Sequence, residues 1–134
     1  MRSSQVVIPE LDVMLKAFSR QEPEPAIVTR LTQLIDDRLI YFVGWVRQGL
    51  LTRARDERQF QRLLSALAPF PDIPIEPRDH TAAAQLTHRL RDRGETIMPA
   101  QALLWVMAER LHALVWSTEK RWRKLSVHGA PLFK

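Results

Sequence analysis

Short apolar runs alternate with longer segments of helical periodicity along this chain. The runs are rich in β-forming residues and comprise "QVVI" (5–8), "LIYFV" (39–43), "DIPI" (72–75) and "ALVWS" (113–117). Runs of this length are typical of strands buried on both faces, as in a parallel sheet. The segments between them carry amphipathic stripes such as Ile27, Leu31, Leu34 and Ile35. Strands joined by helical segments predict an α/β fold with helices on both sides of a mostly parallel sheet.

The number of runs sets the expected size of the sheet. The proline in "DIPI" places that run at a sheet edge, and the tail "VHGAPLF" is a further edge-strand candidate. We therefore expect four to five strands in a three-layer α/β/α arrangement. A length of 134 residues suits one domain, spanning 1–134.

The composition of the chain bears on the cellular location of the protein. The chain has no cysteine, which excludes disulfides and thiolate chemistry and is consistent with a reducing, cytoplasmic location. Its N-terminal apolar run is broken by Pro9, Glu10 and Asp12, and no stretch approaches the roughly 20 apolar residues that a membrane span needs. We expect no signal peptide, no anchor and no membrane partner.

The net charge of +5 is concentrated in three basic runs, "RQGLLTRARDERQFQR", "RDHTAAAQLTHRLRDR" and "EKRWRK". Such runs permit binding of a polyanion such as RNA. Ordinary solvated helix faces are an equally good interpretation, because each run also contains acids. The RNA-binding candidates are Arg53, Arg55, Arg121, Trp122, Arg123 and Lys124. For Trp122, packing in the core is an alternative to stacking on a base.

Several familiar sites are not supported by the spacing of the residues. The four glycines form no phosphate-binding loop, the four histidines form no metal-ligand pair, and no serine lies in a G-x-S-x-G elbow. In parallel sheets, sites form outside the carboxyl ends of the strands. Here those ends are Pro9–Asp12 and Ser117–Glu119, which are acidic or hydroxylic.

A family resemblance follows from the order of short segments along the chain. The segments are "DVMLKAF", "ARDERQFQRLLSAL", "IPIEP", "LRDRGETI", "AQALLWVMA" and "ALVWSTEKRW". Together they resemble a PIN domain, in particular the VapC-like toxins of bacterial toxin–antitoxin pairs, over essentially the whole chain. The resemblance implies a metal-dependent endoribonuclease in which four acids hold Mg²⁺ or Mn²⁺. It also implies an antitoxin-like protein partner and a homodimer.

The acids that the resemblance implies are only partly present. The first and fourth positions correspond to Glu10 and Glu119, which keep a carboxylate. The second falls on Gly49, which supplies no ligand, and the third on Gln101, whose amide brings no charge. Arg121 reverses the charge where some members carry a further acid. Removing two charged ligands weakens the attraction for a cation by several kcal/mol. A pair of opposite unit charges 4 Å apart contributes roughly 4 kcal/mol at an effective dielectric constant of about 20.

The sequence offers two ways in which the missing metal ligands could be replaced. Asp12 could turn inward to join Glu10 and Glu119 as a ligand, or Asp56 or Glu57 could approach from the loop after the third helix. Gln101 also has a purely local interpretation, because a glutamine near a helix start can reach back to unpaired backbone N–H groups.

We therefore expect a PIN-like domain with an eroded nuclease centre that binds Mg²⁺ or Mn²⁺ weakly or not at all. The expected role is non-catalytic binding of RNA or of a protein, either an antitoxin-like chain or a second copy. The alternative is an active Mg²⁺/Mn²⁺-dependent endoribonuclease with Glu10, Asp12, Gln101 and Glu119 as variant ligands. A further alternative is an unrelated α/β module, in which Glu10 and Glu119 would lie far apart.

Overall fold

The computed structural model describes residues 5–18 and 23–134, so residues 1–4 and 19–22 of the predicted domain lie outside the described residues. The described residues form a mixed, mostly helical α/β structure with two strands and seven helices. In chain order these are β1 (Val7–Pro9), α1 (Leu11–Ala17), α2 (Pro25–Asp36), α3 (Gly44–Thr52), α4 (Glu57–Leu67), α5 (Pro77–Asp92), α6 (Pro99–Arg110), β2 (Leu114–Trp116) and α7 (Lys120–Ser126).

The two strands pair in parallel at the centre of the molecule. Ile8 lies opposite Val115, and Pro9 lies opposite Trp116. The side chains of Ile8 and Val115 are fully buried, as expected for short apolar strands enclosed on both faces. The predicted strands at 5–8 and 113–117 are thereby confirmed, with slightly different ends.

The predicted sheet of four to five strands is not shown by the described residues, which contain two strands only. The other three candidate segments form isolated parallel bridges instead, at Val7–Ile40, Phe42–Asp72 and Val115–Leu132. Prolines 71, 74 and 131 lie within two residues of the outer bridging positions. A proline has no N–H to donate, which limits these outer segments to one bridge each.

The helices bury the apolar stripes that the sequence predicts. In α2 the buried residues are Ile27 and Leu31, and in α5 they include Leu86 and Leu90. Helix α5 ends before Gly94, whose positive φ of 77° suits the residue after a helix terminus. Helix α6 lies deep in the core, where Ala102 and the run 104–108 are buried. None of the described helices is long and apolar enough to cross a membrane.

An ion-pair network joins the start of α5 to the end of α6. The Arg110 guanidinium donates to both carboxylate oxygens of Asp79 at 2.9 Å and to the Pro74 carbonyl oxygen at 3.0 Å. Asp79 is only 2% exposed. Burial works to raise the pKa of Asp79, but hydrogen bonds from Arg110 and from the Glu76 N–H outweigh it and hold the pKa below its ordinary value. The network fixes how α5 and α6 lie on each other.

Candidate acidic site

An acidic cluster forms where β1 and β2 end. The Glu10 N–H donates to the Trp116 carbonyl oxygen at 2.9 Å, which extends the strand pairing by one residue. Helix α1 begins directly after Glu10, and α7 begins directly after Glu119. The parallel pairing therefore brings Glu10 and Asp12 to Ser117–Glu119. This contradicts the alternative in which Glu10 and Glu119 lie far apart.

Asp12 turns towards this cluster, but its carboxylate is occupied by hydrogen bonds. One oxygen accepts from the Thr118 N–H at 2.7 Å and from the Thr118 hydroxyl at 2.6 Å. The Ser117 hydroxyl donates to the same carboxylate at 3.3 Å. The Lys16 ammonium donates to the Thr118 hydroxyl at 2.7 Å, which places a cation beside the cluster. Asp12 thus anchors the turn after β2.

Glu10 is held by the core tryptophan of α7. The Trp122 indole Nε1–H donates to the Glu10 carboxylate at 2.9 Å, and Trp122 is fully buried. Burial of the Glu10 carboxyl group, together with the charges of Asp12 and Glu119, raises the pKa of Glu10 to about 7 against the opposing hydrogen bonds from Trp122 and Ser117. Protonated and ionised Glu10 are therefore both populated near neutral pH. The buried ring of Trp122 offers no surface to a base, so Trp122 does not belong to the RNA-binding candidates.

Gly49 faces a leucine side chain. A Cβ atom built on Gly49 would lie 2.7 Å from Leu11 Cδ2, closer than any ordinary van der Waals contact. Leu11 follows Glu10 directly, so the space beside the position of the second family acid is filled by an apolar group. The sequence analysis did not identify Leu11, because a leucine between two acids carries no signal that distinguishes it from other core residues.

Gln101 caps its own helix. Its side-chain oxygen accepts from the Met98 N–H at 3.2 Å, which is the local role that a glutamine near a helix start can have. Of the two other proposed substitutes, Asp56 caps α4 and Glu57 forms a side-chain hydrogen bond along it. Asp56 accepts from the Gln59 N–H at 2.8 Å, and Glu57 accepts from the Gln61 side chain at 2.8 Å. Neither Asp56 nor Glu57 hydrogen-bonds to the acidic cluster.

The donor set fits a divalent metal centre poorly. Among residues 5–18 and 23–134, no group of three or more His, Cys, Asp or Glu side chains is arranged to hold a metal ion. Of the three carboxylates, Asp12 is occupied by the turn after β2 and Glu10 accepts from Trp122. Glu119 remains exposed at the start of α7. A divalent cation prefers several free oxygen ligands, which these three carboxylates provide only in part.

The cationic candidates lie in different environments. Arg121 forms an ion pair with Glu95 at 3.0 Å and donates to the Thr96 hydroxyl at 2.9 Å, so it ties α7 to the α5–α6 loop. The other four candidates have exposed side chains and are Arg53, Arg55, Arg123 and Lys124. Their exposure leaves them open to a partner.

Three solved structures show the same fold. FitAcB from Neisseria gonorrhoeae is similar with a TM-score of 0.75 and 16% identity over 96% of this chain and 97% of that chain. FitAB bound to the IR36 DNA fragment is similar with a TM-score of 0.79 and 14% identity over 96% of this chain and 94% of that chain. VapBC2 from Rickettsia felis, bound to a DNA fragment from their promoter, is similar with a TM-score of 0.69 and 15% identity over 90% of this chain and 92% of that chain. The fold is VapC-like.

This similarity supports the predicted resemblance at the level of the fold. No known protein family matches the chain by its sequence pattern, and no curated protein matches it in sequence. At 14 to 16% identity, the structural likeness carries no residue roles and no activity. The chemistry of this chain therefore depends on its own side chains.

The environment of Glu10 generates a prediction about pH. Because the pKa of Glu10 is raised on folding from 4.5 to about 7, the folded state binds more protons than the unfolded state between these values, and stability falls as pH rises through them. Replacing Glu10 by Gln removes the charge and keeps an acceptor for Trp122. We expect Glu10→Gln to be more stable than the parent above pH 7, by on the order of 2 kcal/mol after allowance for partial exposure.

Urea denaturation at a series of pH values from about 4.5 to 8.5 measures this difference. The matched control is Glu119→Gln, which removes an exposed carboxylate from the same cluster. The difference in stability between Glu119→Gln and the parent should change little with pH. A difference between Glu10→Gln and the parent that stays constant across the pH range would contradict the raised pKa.

Proposed function

We propose that this chain is a non-catalytic VapC-like domain that binds a protein partner of the antitoxin kind. The observation that carries the non-catalytic part is the contact of Leu11 with the backbone of Gly49. It puts an apolar group where the family resemblance expects a carboxylate. The capping role of Gln101 and the hydrogen bonds to Oδ2 of Asp12 support the same proposal, since each engages an oxygen that a cation would otherwise use.

An apolar groove on α1, α3 and α4 is suited to a partner segment. Its volume is about 280 Å³, and its apolar lining consists of Leu15, Phe18, Leu50, Leu63 and Leu67. Phe18 is 52% exposed, and large exposed aromatic groups are typical of contact surfaces. Arg53 and Arg55 lie at the same groove. The chemistry of the groove fits a segment with apolar anchors and acidic residues around them.

The structural comparisons favour this partner class. The similar FitAB and VapBC2 structures are toxin–antitoxin complexes, and two of them contain DNA. A domain of this shape therefore occurs in complex with a second protein. For the present chain, we propose an antitoxin-like partner and, as a second possibility, association with another copy of the chain.

A metal-dependent endoribonuclease is retained as the second candidate, because Glu10, Asp12 and Glu119 do converge at the ends of the strands. Thermal melting with and without about 2 mM Mn²⁺ separates the two, because a ligand that binds only the folded state raises the melting midpoint. We expect no rise for the parent chain. A clear rise that Glu10→Gln abolishes would overturn the non-catalytic proposal.

A restored variant provides the positive arm of this experiment. Gly49→Glu combined with Leu11→Ala adds a fourth acid to Glu10, Asp12 and Glu119 and removes the leucine that would obstruct it. We expect this variant to gain a rise with Mn²⁺ that the parent lacks. Leu11→Ala alone is the matched control, since it opens the same space without adding a ligand.

The partner groove is tested with a designed amphipathic helical peptide of about 18 residues, with leucines on one face and glutamates on the other. We expect Phe18→Asp to weaken binding about tenfold, equivalent to about 1.4 kcal/mol, because it places a charge in the apolar groove. Fluorescence anisotropy of the labelled peptide measures the affinity. Val127→Asp is the control, because Val127 is an apolar residue with 83% exposure that does not line the groove.

Two results would contradict the groove proposal. One is an equal loss of affinity in Phe18→Asp and Val127→Asp, which would indicate a general effect of added charge. The other is equal binding of a peptide with the same composition and scrambled order, which would show that the apolar face is not recognised.

RNA is a further proposed ligand, favoured by the exposed side chains of Arg53, Arg55, Arg123 and Lys124. Binding through such cations falls with salt, with a slope of log affinity against log salt of about −0.7 for each phosphate contact on a single strand. We expect Arg123→Gln/Lys124→Gln to reduce this slope for a labelled single-stranded RNA. Arg58→Gln/Arg62→Gln removes the same charge from α4 and serves as control. Undetectable affinity at low salt, or affinity insensitive to salt, would refute RNA binding.

A further inference from the structure

Helix α1 places a lysine beside the acidic cluster. Lys16 follows Asp12 by four residues, so the two side chains lie on the same side of α1. The Lys16 ammonium donates to the Thr118 hydroxyl at 2.7 Å, in a partly buried position. Lysine side chains are mostly exposed, and holding one in a single position costs conformational entropy. A lysine held in this way indicates that its charge has a role in the cluster.

The direction of the hydrogen bonds between Lys16 and Asp12 is set by chemistry. An ammonium group has donors and no acceptor, so the Thr118 hydroxyl accepts from Lys16. The hydroxyl donates its own proton to Asp12 Oδ2 at 2.6 Å, and the Thr118 N–H donates to the same oxygen at 2.7 Å. Hydrogen bonds in such a chain polarise and strengthen one another. A single hydroxyl group therefore connects the ammonium to the carboxylate.

These hydrogen bonds join the two sides of the cluster. Lys16 and Asp12 belong to α1, which follows β1, whereas Thr118 lies in the turn that leads from β2 to α7. In a metal centre built from carboxylates, the cation makes such a connection, because it binds oxygens from several elements and balances their charge. In this chain, an ammonium and a hydroxyl group make it.

The charges of the cluster favour a cation at this place. The carboxylates of Asp12 and Glu119 lie close enough to Glu10 for their charges to act on it. The positive charge of Lys16 offsets part of this repulsion. The repulsion between two cations grows with the product of their charges, so the Lys16 ammonium opposes a divalent ion twice as strongly as a monovalent one at the same distance.

We propose that Lys16 is the built-in cation of the acidic cluster, which balances the charge of the carboxylates and weakens the binding of a divalent ion. The inference rests on the proposed non-catalytic function and deepens it, since it assigns a residue to the loss of metal affinity. Its physical cause differs from that of the contact between Leu11 and Gly49. That contact fills the space of a ligand, whereas Lys16 adds repulsion.

Paramagnetic broadening by Mn²⁺ tests the inference on the full chain labelled with nitrogen-15. The probe is the indole N–H signal of Trp122, because this group donates to Glu10 within the cluster. Mn²⁺ bound at the cluster broadens the signal, and a titration gives the half-effect concentration. We expect Lys16→Gln to lower this concentration about tenfold or more, because a unit charge nearby changes the proton affinity of a carboxylate by at least that factor.

Matched variants separate the charge of Lys16 from its other contributions. Lys16→Gln keeps a hydrogen-bond donor and loses the charge, whereas Lys16→Arg keeps the charge and should retain the half-effect concentration of the parent. Lys134→Gln removes the same charge from an exposed position and should also leave the concentration unchanged. Where Lys16→Gln does not fold, Lys16→Met removes the same charge with a side chain of good helix propensity.

The outcomes distinguish this inference from the proposed function. A decrease in Lys16→Gln that is absent from Lys16→Arg and Lys134→Gln supports the inference. Equal half-effect concentrations in Lys16→Gln and the parent overturn it, whatever their value, and so does an equal decrease in Lys16→Arg. A melting midpoint of the parent that rises with Mn²⁺ contradicts the non-catalytic function instead, and the ratio of the two half-effect concentrations still decides the role of Lys16.

Discussion

The parallel pairing of β1 with β2 is the contact on which the rest of this structure depends. It sets Pro9 opposite Trp116, so both strands end at the same edge and the chain continues there into Glu10 and Ser117. A slip of one residue would turn the side chains of a strand to the opposite face. Glu10 would then lose the indole of Trp122, and Asp12 would lose the turn at Thr118. Strand register and the acidic cluster are therefore one property of the fold.

Groups of the protein itself reduce the repulsion among the carboxylates of this cluster. Carboxylates that lie close together repel one another, and a divalent ion would ordinarily balance that repulsion. Here the balance comes from the protein itself. Asp12 accepts from the backbone and hydroxyl of Thr118, the Lys16 ammonium lies on the same hydroxyl, and Glu10 takes up a proton near neutral pH. Each of these arrangements reduces the repulsion between the carboxylates.

Sequence periodicity was sufficient for the features that depend on local patterns. The stripe of α2, the two central strands and the meeting of Glu10 with Glu119 follow from spacing and from the geometry of parallel sheets. The number of strands did not follow, because apolar runs next to prolines form single bridges as readily as ladders.

Side-chain roles that depend on packing were less accessible to the sequence. Trp122 stands among cations in the sequence, yet it lies with Leu125 on the buried side of α7 while the cations occupy the other sides. Three residues of separation place Trp122 and Leu125 on one face, and a short helix gives too few positions to reveal it. The contact of Leu11 with Gly49 joins residues far apart in sequence. Only the packing of α1 on α3 creates it.

The packing of α1 on α3 connects the space beside Gly49 to the apolar groove. Leu11, Leu15 and Phe18 follow one another at helical spacing along α1, and the first fills the space over Gly49 while the others line the groove. Glycine at position 49 leaves room for the Leu11 side chain, because a Cβ there would meet its methyl groups unless that side chain moved. A carboxylate at that position would have to displace the Leu11 side chain, which lies at helical spacing from Leu15 and Phe18 of the groove wall. In this chain, a side chain at position 49 and the Leu11 side chain in its present position therefore compete for the same space.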